Sequence, residues 1–174
     1  MCLPTDRFRR RLMFIGSVGL ILLVLGSLAR ERYRIGVGLQ TEACLPPYRI
    51  FLVDKSLRPG RNDLIAFAAD GRLLPYFPPG TLLIKAVRGL GGDQVSVAGD
   101  AVRVNGAIVA SATPSLGMTP LAAALHRSPA DFQRVETIPP GHYWVMGVTP
   151  NSFDSRYWGT VDEAQVVGRA YPLW

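Results

Sequence analysis

Thr81 to Gly106 reads TLLIKAVRGLGGDQVSVAGDAVRVNG, and its spacing decides the fold class. Thr81–Arg88 is mostly apolar and β-branched in part, which predicts a strand. Gly91-Gly92-Asp93 then marks a turn; no helical pattern follows it, so it is not a phosphate cradle. Gln94–Ala98 and Ala101–Val104 flank Gly99-Asp100, a hairpin signal, and Asn105-Gly106 before Ala107–Ala110 predicts another. Working outward, Tyr48–Asp54 (YRIFLVD) and Asp63–Ala68 (DLIAFA) read as strands around the turn Arg58-Pro59-Gly60-Arg61-Asn62. Asp70-Gly71 and Pro78-Pro79-Gly80 are further turns, and His142–Gly147 and Gln165–Ala170 are late strands. Thr119–His126 (TPLAAALH) reads as a helix with Thr119 as N-cap and Pro120 in the first turn. It falls within residues 111–135, which change character and suit a lid, a docking surface or an insertion. The expectation is a mainly β domain of short antiparallel strands over residues 35–174.

Leu12–Ala29 (LMFIGSVGLILLVLGSLA) is 18 residues without a charge, and as a helix it would span about 27 Å, near the thickness of a bilayer core. A retained anchor, a cleaved signal peptide with Ser27-Leu28-Ala29 as its site, and a buried core helix all fit an apolar run. The run is longer than a usual signal-peptide core and arginines flank both ends, which favours the anchor. The expected organisation is a cytoplasmic segment over 1–11, one membrane span over 12–29 and an outer domain over 35–174. In a bacterium this is a single-pass inner-membrane protein with its outer domain in the oxidising periplasm. Cys2 and Cys44 would then lie on opposite sides of the membrane.

Composition removes several alternatives. With 48% hydrophobic and 18% charged residues in 174, the chain is not disordered. The net charge of +6 is mostly confined to residues 1–34, where seven arginines face Asp6 and Glu31. No basic stripe is left to grip a nucleic acid. Two cysteines and two histidines, His126 and His142, make neither a disulfide scaffold nor a zinc site, so no metal or cofactor is expected.

Four stretches carry reactive groups: Thr41–Pro47 (TEACLPP), Arg61–Phe67 (RNDLIAF), Leu83–Val97 (LIKAVRGLGGDQVSV) and Gly147–Ala170 (GVTPNSFDSRYWGTVDEAQVVGRA). Only Lys55 and Lys85 are lysines among 19 basic residues, and Lys85 lies in the apolar run Leu82–Val87 with no acidic residue within seven positions. Lysine acts as a base only when neutral, so its free pKa of about 10.4 must fall, which burial achieves. A thiol, at about 8.5, asks less of such a base than a hydroxyl does. Taken singly, each residue has a plainer reading: Cys44 as a small hydrophobe, Lys85 as an edge-strand lysine, Ser152 as a turn residue, and Asp154 with Arg156 as a structural pair.

In this order the four stretches resemble the boxes of the membrane-anchored type I signal peptidases, the Ser-Lys leader peptidases. Ser152–Gly159 (SFDSRYWG) followed by Val167-Gly168-Arg169-Ala170 is the most specific match, and Lys85 with Arg88-Gly89-Leu90 and Gly92-Asp93 is similar to the lysine box. The short length and Pro150-Asn151-Ser152-Phe153-Asp154 are most like the TraF-type peptidases of conjugative transfer systems, which mature pilin subunits and in some cases close them into rings. The resemblance implies a precursor protein, such as a pilin, as substrate, and a transfer or secretion apparatus as partner. It implies Cys44 as nucleophile, Lys85 as general base, Ser152 as the residue that orients Lys85, and Asp154 with Arg156 as a buried brace. Leu45 and Pro46 would shape the groove for small residues before the scissile bond, and an extended substrate would add to a strand edge.

The sequence departs from that pattern at three places. Cys44 stands where the family has serine, Gly147-Val148-Thr149 replaces Gly-Asp-Asn, and Glu42 occupies the place of a second oxyanion donor. The Cys2-Leu3-Pro4-Thr5 stretch mimics the nucleophile box, but on the wrong side of the anchor. The cysteine leaves room for a non-catalytic envelope component on the same scaffold. A soluble Ser-Lys autoprotease is disfavoured by the apolar run and the absence of a DNA-binding region.

Overall fold

A computed structural model describes residues 6–38, 44–98, 101–110, 127–149 and 152–174. Helix α1, Asp6–Arg32, is 27 residues long, and none of them is buried. At 1.5 Å per residue it measures about 40 Å, longer than a bilayer core. It is long and apolar enough to cross a membrane. It extends beyond the uncharged run at both ends, because the flanking arginines are good helix formers.

Strand β1 (Tyr33–Val37) follows α1 without a linker. Then come β2 (Ile50–Asp54), β3 (Leu64–Ala68), β4 (Leu82–Leu90), β5 (Gln94–Ala98), β6 (Ala101–Val104), β7 (Ala107–Ala110), β8 (Arg134–Thr137), β9 (His142–Met146), a one-turn helix α2 (Ser155–Trp158), β10 (Val161–Asp162) and β11 (Val166–Pro172). They form a seven-stranded sheet ordered β1-β2-β11-β3-β4-β9-β10 and a four-stranded sheet ordered β7-β6-β5-β8. Every assigned strand pair is antiparallel. The fold is mainly β behind one long N-terminal apolar helix, as the sequence predicts.

β4 organises the core because its two faces serve different clusters. Leu83 and Val87 join Ile65, Phe67, Leu73, Val145 and Val161 on one face. Leu82 and Ile84 pack on the other against Leu45, Phe51, Val53, Ala66 and Ala170. A third cluster of Val95, Val97, Val102, Val104, Ile138, Trp144 and Met146 fills the smaller sheet. Where β4 passes from one cluster to the next, its register against β9 shifts between Val87 and Gly89. Gly89 keeps the crossing tight: a Cβ would stand 2.5 Å from Ile138 Cδ1 and 3.1 Å from Trp144 Cβ, so the Ile138 side chain would have to shift. Asp93 pins this crossing by accepting hydrogen bonds from the Leu90 N–H, the Asn105 amide and Arg61 Nη2, each at 2.7 Å. Burial works to raise the Asp93 pKa, but these donors outweigh it and hold the carboxyl below its ordinary value.

Three strands escape the sequence reading. β1 lies in what reads as an arginine-flanked membrane boundary, β8 straddles the end of the segment of changed character, and β10 has only two residues. The turn at Gly99-Asp100 and the helix expected at Thr119–His126 lie outside the described residues.

Candidate active site

By alternation Lys85 falls on the same face of β4 as Leu83 and Val87, a position that normally takes an apolar side chain. It is 3% exposed, and its neighbour across the β3–β4 ladder is Ile65. Lys85 Nζ donates a 2.8 Å hydrogen bond to Ser152 Oγ, and Ser152 is itself buried. None of the ion pairs among the described residues involves Lys85.

Cys44 is half-buried, and its carbonyl accepts the Val148 N–H at 2.9 Å. Gly147, just past β9, lies between the two halves of the site. A Cβ at this position would stand 2.2 Å from Ser152 Oγ and 2.9 Å from the Cys44 carbonyl oxygen. Only a glycine lets the Cys44 backbone and the Ser152 hydroxyl approach the same point. Lys85, Ser152, Gly147 and Cys44 thus form one contiguous line.

Cys44 and Lys85 both line a cleft of about 540 Å³. One wall is Arg34–Gly38, running along β1, and another is Thr81–Lys85, running into β4; Leu45, Tyr48, Phe51 and Phe77 close the rest. Leu45 is buried and lines the cleft, whereas Pro46 is exposed and is not among its lining residues. β4 pairs with β3 from Leu82 onward but with β9 only from Ala86. Its other edge over Leu82–Lys85 therefore pairs with no described strand, and an extended chain could hydrogen-bond there.

Beneath the cleft Asp154 and Arg156 form a buried, two-pronged pair: Nε to Oδ1 at 2.8 Å and Nη2 to Oδ2 at 2.9 Å. Both residues are almost fully buried, so removing one partner alone costs about 3–5 kcal/mol. Asp154 also accepts the Gly147 N–H at 2.9 Å, and Arg156 Nη2 donates to the Ser152 carbonyl at 2.9 Å. The pair therefore fixes both Gly147 and Ser152. Burial opposes the Arg156 charge, but Asp154 more than compensates, and Cys44 adds a smaller effect in the same direction, so the guanidinium pKa is raised.

The sequence reading passes over three contributors. In the sequence Gly147 reads only as part of a departed motif, yet it lies between Ser152 and the Cys44 carbonyl. Arg134 donates to the Ser155 carbonyl at 2.7 Å and the Arg156 carbonyl at 3.0 Å while lying over the Trp144 ring, bracing α2 from the smaller sheet. Phe77 lines the cleft and stacks toward Phe153, next to Ser152. A glycine directly after an apolar strand is a readable signal; Arg134 and Phe77 lie outside the four stretches and carry none. Glu42 lies outside the described residues.

Residues 8–174 match the family described as signal peptidase, peptidase S26. A signal peptidase I of Leptolyngbya laminosa is 31% identical over 170 residues, covering 90% of this chain and 75% of that protein. A conjugal transfer protein TraF of Agrobacterium fabrum is 28% identical over 188 residues, covering 95% of this chain and 96% of that protein. A crystal structure of a signal peptidase I from Enterococcus faecalis, 28% identical, aligns with 64% of this chain and 96% of its own at a TM-score of 0.40.

Proposed function

This chain belongs to the signal peptidase family, peptidase S26, and from that premise we propose that it is a membrane-anchored endopeptidase using Cys44 as nucleophile and Lys85 as general base. The observation that carries the reading is that one cleft is lined by both residues while Lys85 Nζ is held on Ser152 Oγ. Helix α1 supplies the anchor, with the β domain on the periplasmic side of a bacterial inner membrane. The substrate is a secreted precursor, and near-full-length similarity to a conjugal transfer TraF supports a pilin precursor processed beside a transfer apparatus.

An extended precursor pairs with the open edge of Leu82–Lys85, and Leu45 with Phe77 favours small side chains before the scissile bond. Cys44 Sγ attacks the scissile carbonyl carbon, and Lys85 Nζ takes the thiol proton. The Cys44 N–H stabilises the developing oxyanion. Lys85 then returns the proton to the leaving amine as the C–N bond breaks, leaving a thioester on Cys44. Water attacks the thioester with its proton passing to Lys85; the carboxylic acid leaves and the proton returns to sulfur. An amine at the chain's other end, attacking in place of water, forms a new peptide bond and closes the product into a ring. Ser152 orients Lys85, and Asp154 with Arg156 holds Ser152 and Gly147 in place.

In membranes from a host that makes the precursor, Cys44→Ala and Lys85→Ala each abolish cleavage, while Cys44→Ser retains some. Full cleavage by Cys44→Ala removes this nucleophile. A deletion strain in which assembly fails but no precursor accumulates would favour a non-catalytic envelope protein on the same scaffold.

A further inference from the structure

The second lysine, Lys55, has no place in the reaction, yet it lies at the joint between membrane helix and β domain. Its backbone N–H donates to the Arg32 carbonyl at 2.8 Å and its Nζ to the Arg30 carbonyl at 2.9 Å. These are among the last carbonyls of α1, which have no partner within the helix and carry its negative dipole end. Beside it, Asp54 Oδ2 accepts Arg32 Nη2 at 3.0 Å. Asp54 Oδ1 accepts the Ser56 N–H at 2.9 Å and its hydroxyl at 2.6 Å, so both oxygens are engaged. The receiving turn is itself fixed: a Cβ on Gly168 would stand 2.2 Å from the Asp54 carbonyl oxygen, so β11 backs directly onto it.

This joint is coupled to the cleft by position. α1 ends at Arg32 and the cleft wall begins at Arg34. At about 3.3 Å per residue the whole wall lies within roughly 20 Å of the helix end. No residue of α1 is buried, so outside the joint the β domain does not hold the helix. A change of angle at Arg32 would tilt the wall against the bilayer.

We propose that Asp54 and Lys55 are positioning residues that clamp the C-terminal end of the membrane helix to the β domain, fix the height of the cleft above the bilayer, and so select precursors whose scissile bond stands at that height. The selection rests on the proteolytic reading; the clamp does not.

Two measurements test it on the full chain. In the first, Cys2→Ser protein carrying a donor dye on Cys44 is placed in phosphatidylethanolamine–phosphatidylglycerol vesicles containing an acceptor-labelled lipid. Energy transfer gives one narrow distribution with the clamp intact and a broader one with Lys55→Met or Asp54→Asn. Identical distributions overturn the clamp. In the second, cleavage is compared on a soluble peptide bearing a small-x-small site and on the same site tethered behind an 18-residue apolar segment, matching Leu12–Ala29 in length, by spacers of increasing length. The variants turn over the soluble peptide within about twofold of the unmodified enzyme, but lose about tenfold on the best-spaced tethered substrate and flatten the spacer dependence. Equal losses on both substrates, or an unchanged spacer profile, overturn the selection. Wild-type protein that cleaves neither substrate overturns the proteolytic reading and the selection with it, while the energy-transfer result still decides the clamp. Lys55→Met alters an exposed side chain, so the proposal stays testable even if Asp54→Asn fails to fold.

Discussion

At Gly147 one methyl group decides whether the site exists. The space a Cβ would take is filled by Ser152 Oγ and the Cys44 carbonyl, neither at the end of a long flexible side chain. Gly147→Ala must therefore push the Cys44 backbone from the Ser152 side, or move Ser152 off Lys85. Overpacking of this kind costs about 1–3 kcal/mol of stability. The larger effect is on activity, because a shift of about 1 Å in reacting groups costs on the order of a hundredfold. Thermal unfolding and precursor cleavage measured together on Gly147→Ala should show a folded protein with that loss. Activity within about twofold of wild type would show that the contact is not part of the site. The residues proposed for the chemistry, Cys44, Lys85 and Ser152, stand out in the sequence through their motifs. For Gly147 only its place after an apolar strand can be read there; its importance comes from two groups that meet across the fold.

At the scale of elements, the helix–strand joint gives the molecule an acid-sensitive point. The Arg32 hydrogen bond, followed by the Ser56 hydroxyl, holds the Asp54 carboxyl at about 2 against an ordinary 3.8. A depressed carboxylate stabilises the fold wherever the unfolded chain would also be ionised, and that contribution disappears as the folded form takes up its proton. Here it is complete above about pH 4 and is lost between about pH 4 and pH 2. The melting temperature of detergent-solubilised protein should fall over that window, and Asp54→Asn should flatten the fall. Parallel profiles for the two proteins would contradict the assignment. Asp93, also depressed, acts equally in both and cancels from the comparison. Local pattern predicts β5, β6 and β7 to the residue because Gly and Asn turns bracket them. It misses β1 although Tyr33, Ile35 and Val37 alternate with Arg34 and Gly36, because the five residues follow the apolar helix without a turn signal to set them apart.

The whole molecule is a β domain joined without a spacer to a helix whose apolar surface is entirely exposed. Single exposed apolar side chains are ordinary on a protein surface, but a 27-residue helix with none buried calls for lipid. The full chain should therefore stay with membranes through alkaline carbonate washing and be released only by detergent. Recovery in the soluble fraction would contradict the anchor. At this scale the sequence is most transparent, because an uncharged run of bilayer length needs no tertiary contact to be read. The cleft is the least transparent, because it depends on β1 curling over Leu82 and Ile84. A Cβ on Gly36 would stand 2.9 Å from Ile84 Cδ1, a contact no local pattern encodes. The account rests on acyl transfer to sulfur within that cleft. Its most direct test is mass spectrometry of the full-length protein, acid-quenched during turnover of its precursor. The expected result is an acyl adduct on the peptide containing Cys44 that is released by hydroxylamine and absent from Lys85→Ala; an adduct on any other residue, or precursor cleaved by Cys44→Ala at the wild-type rate, would contradict it.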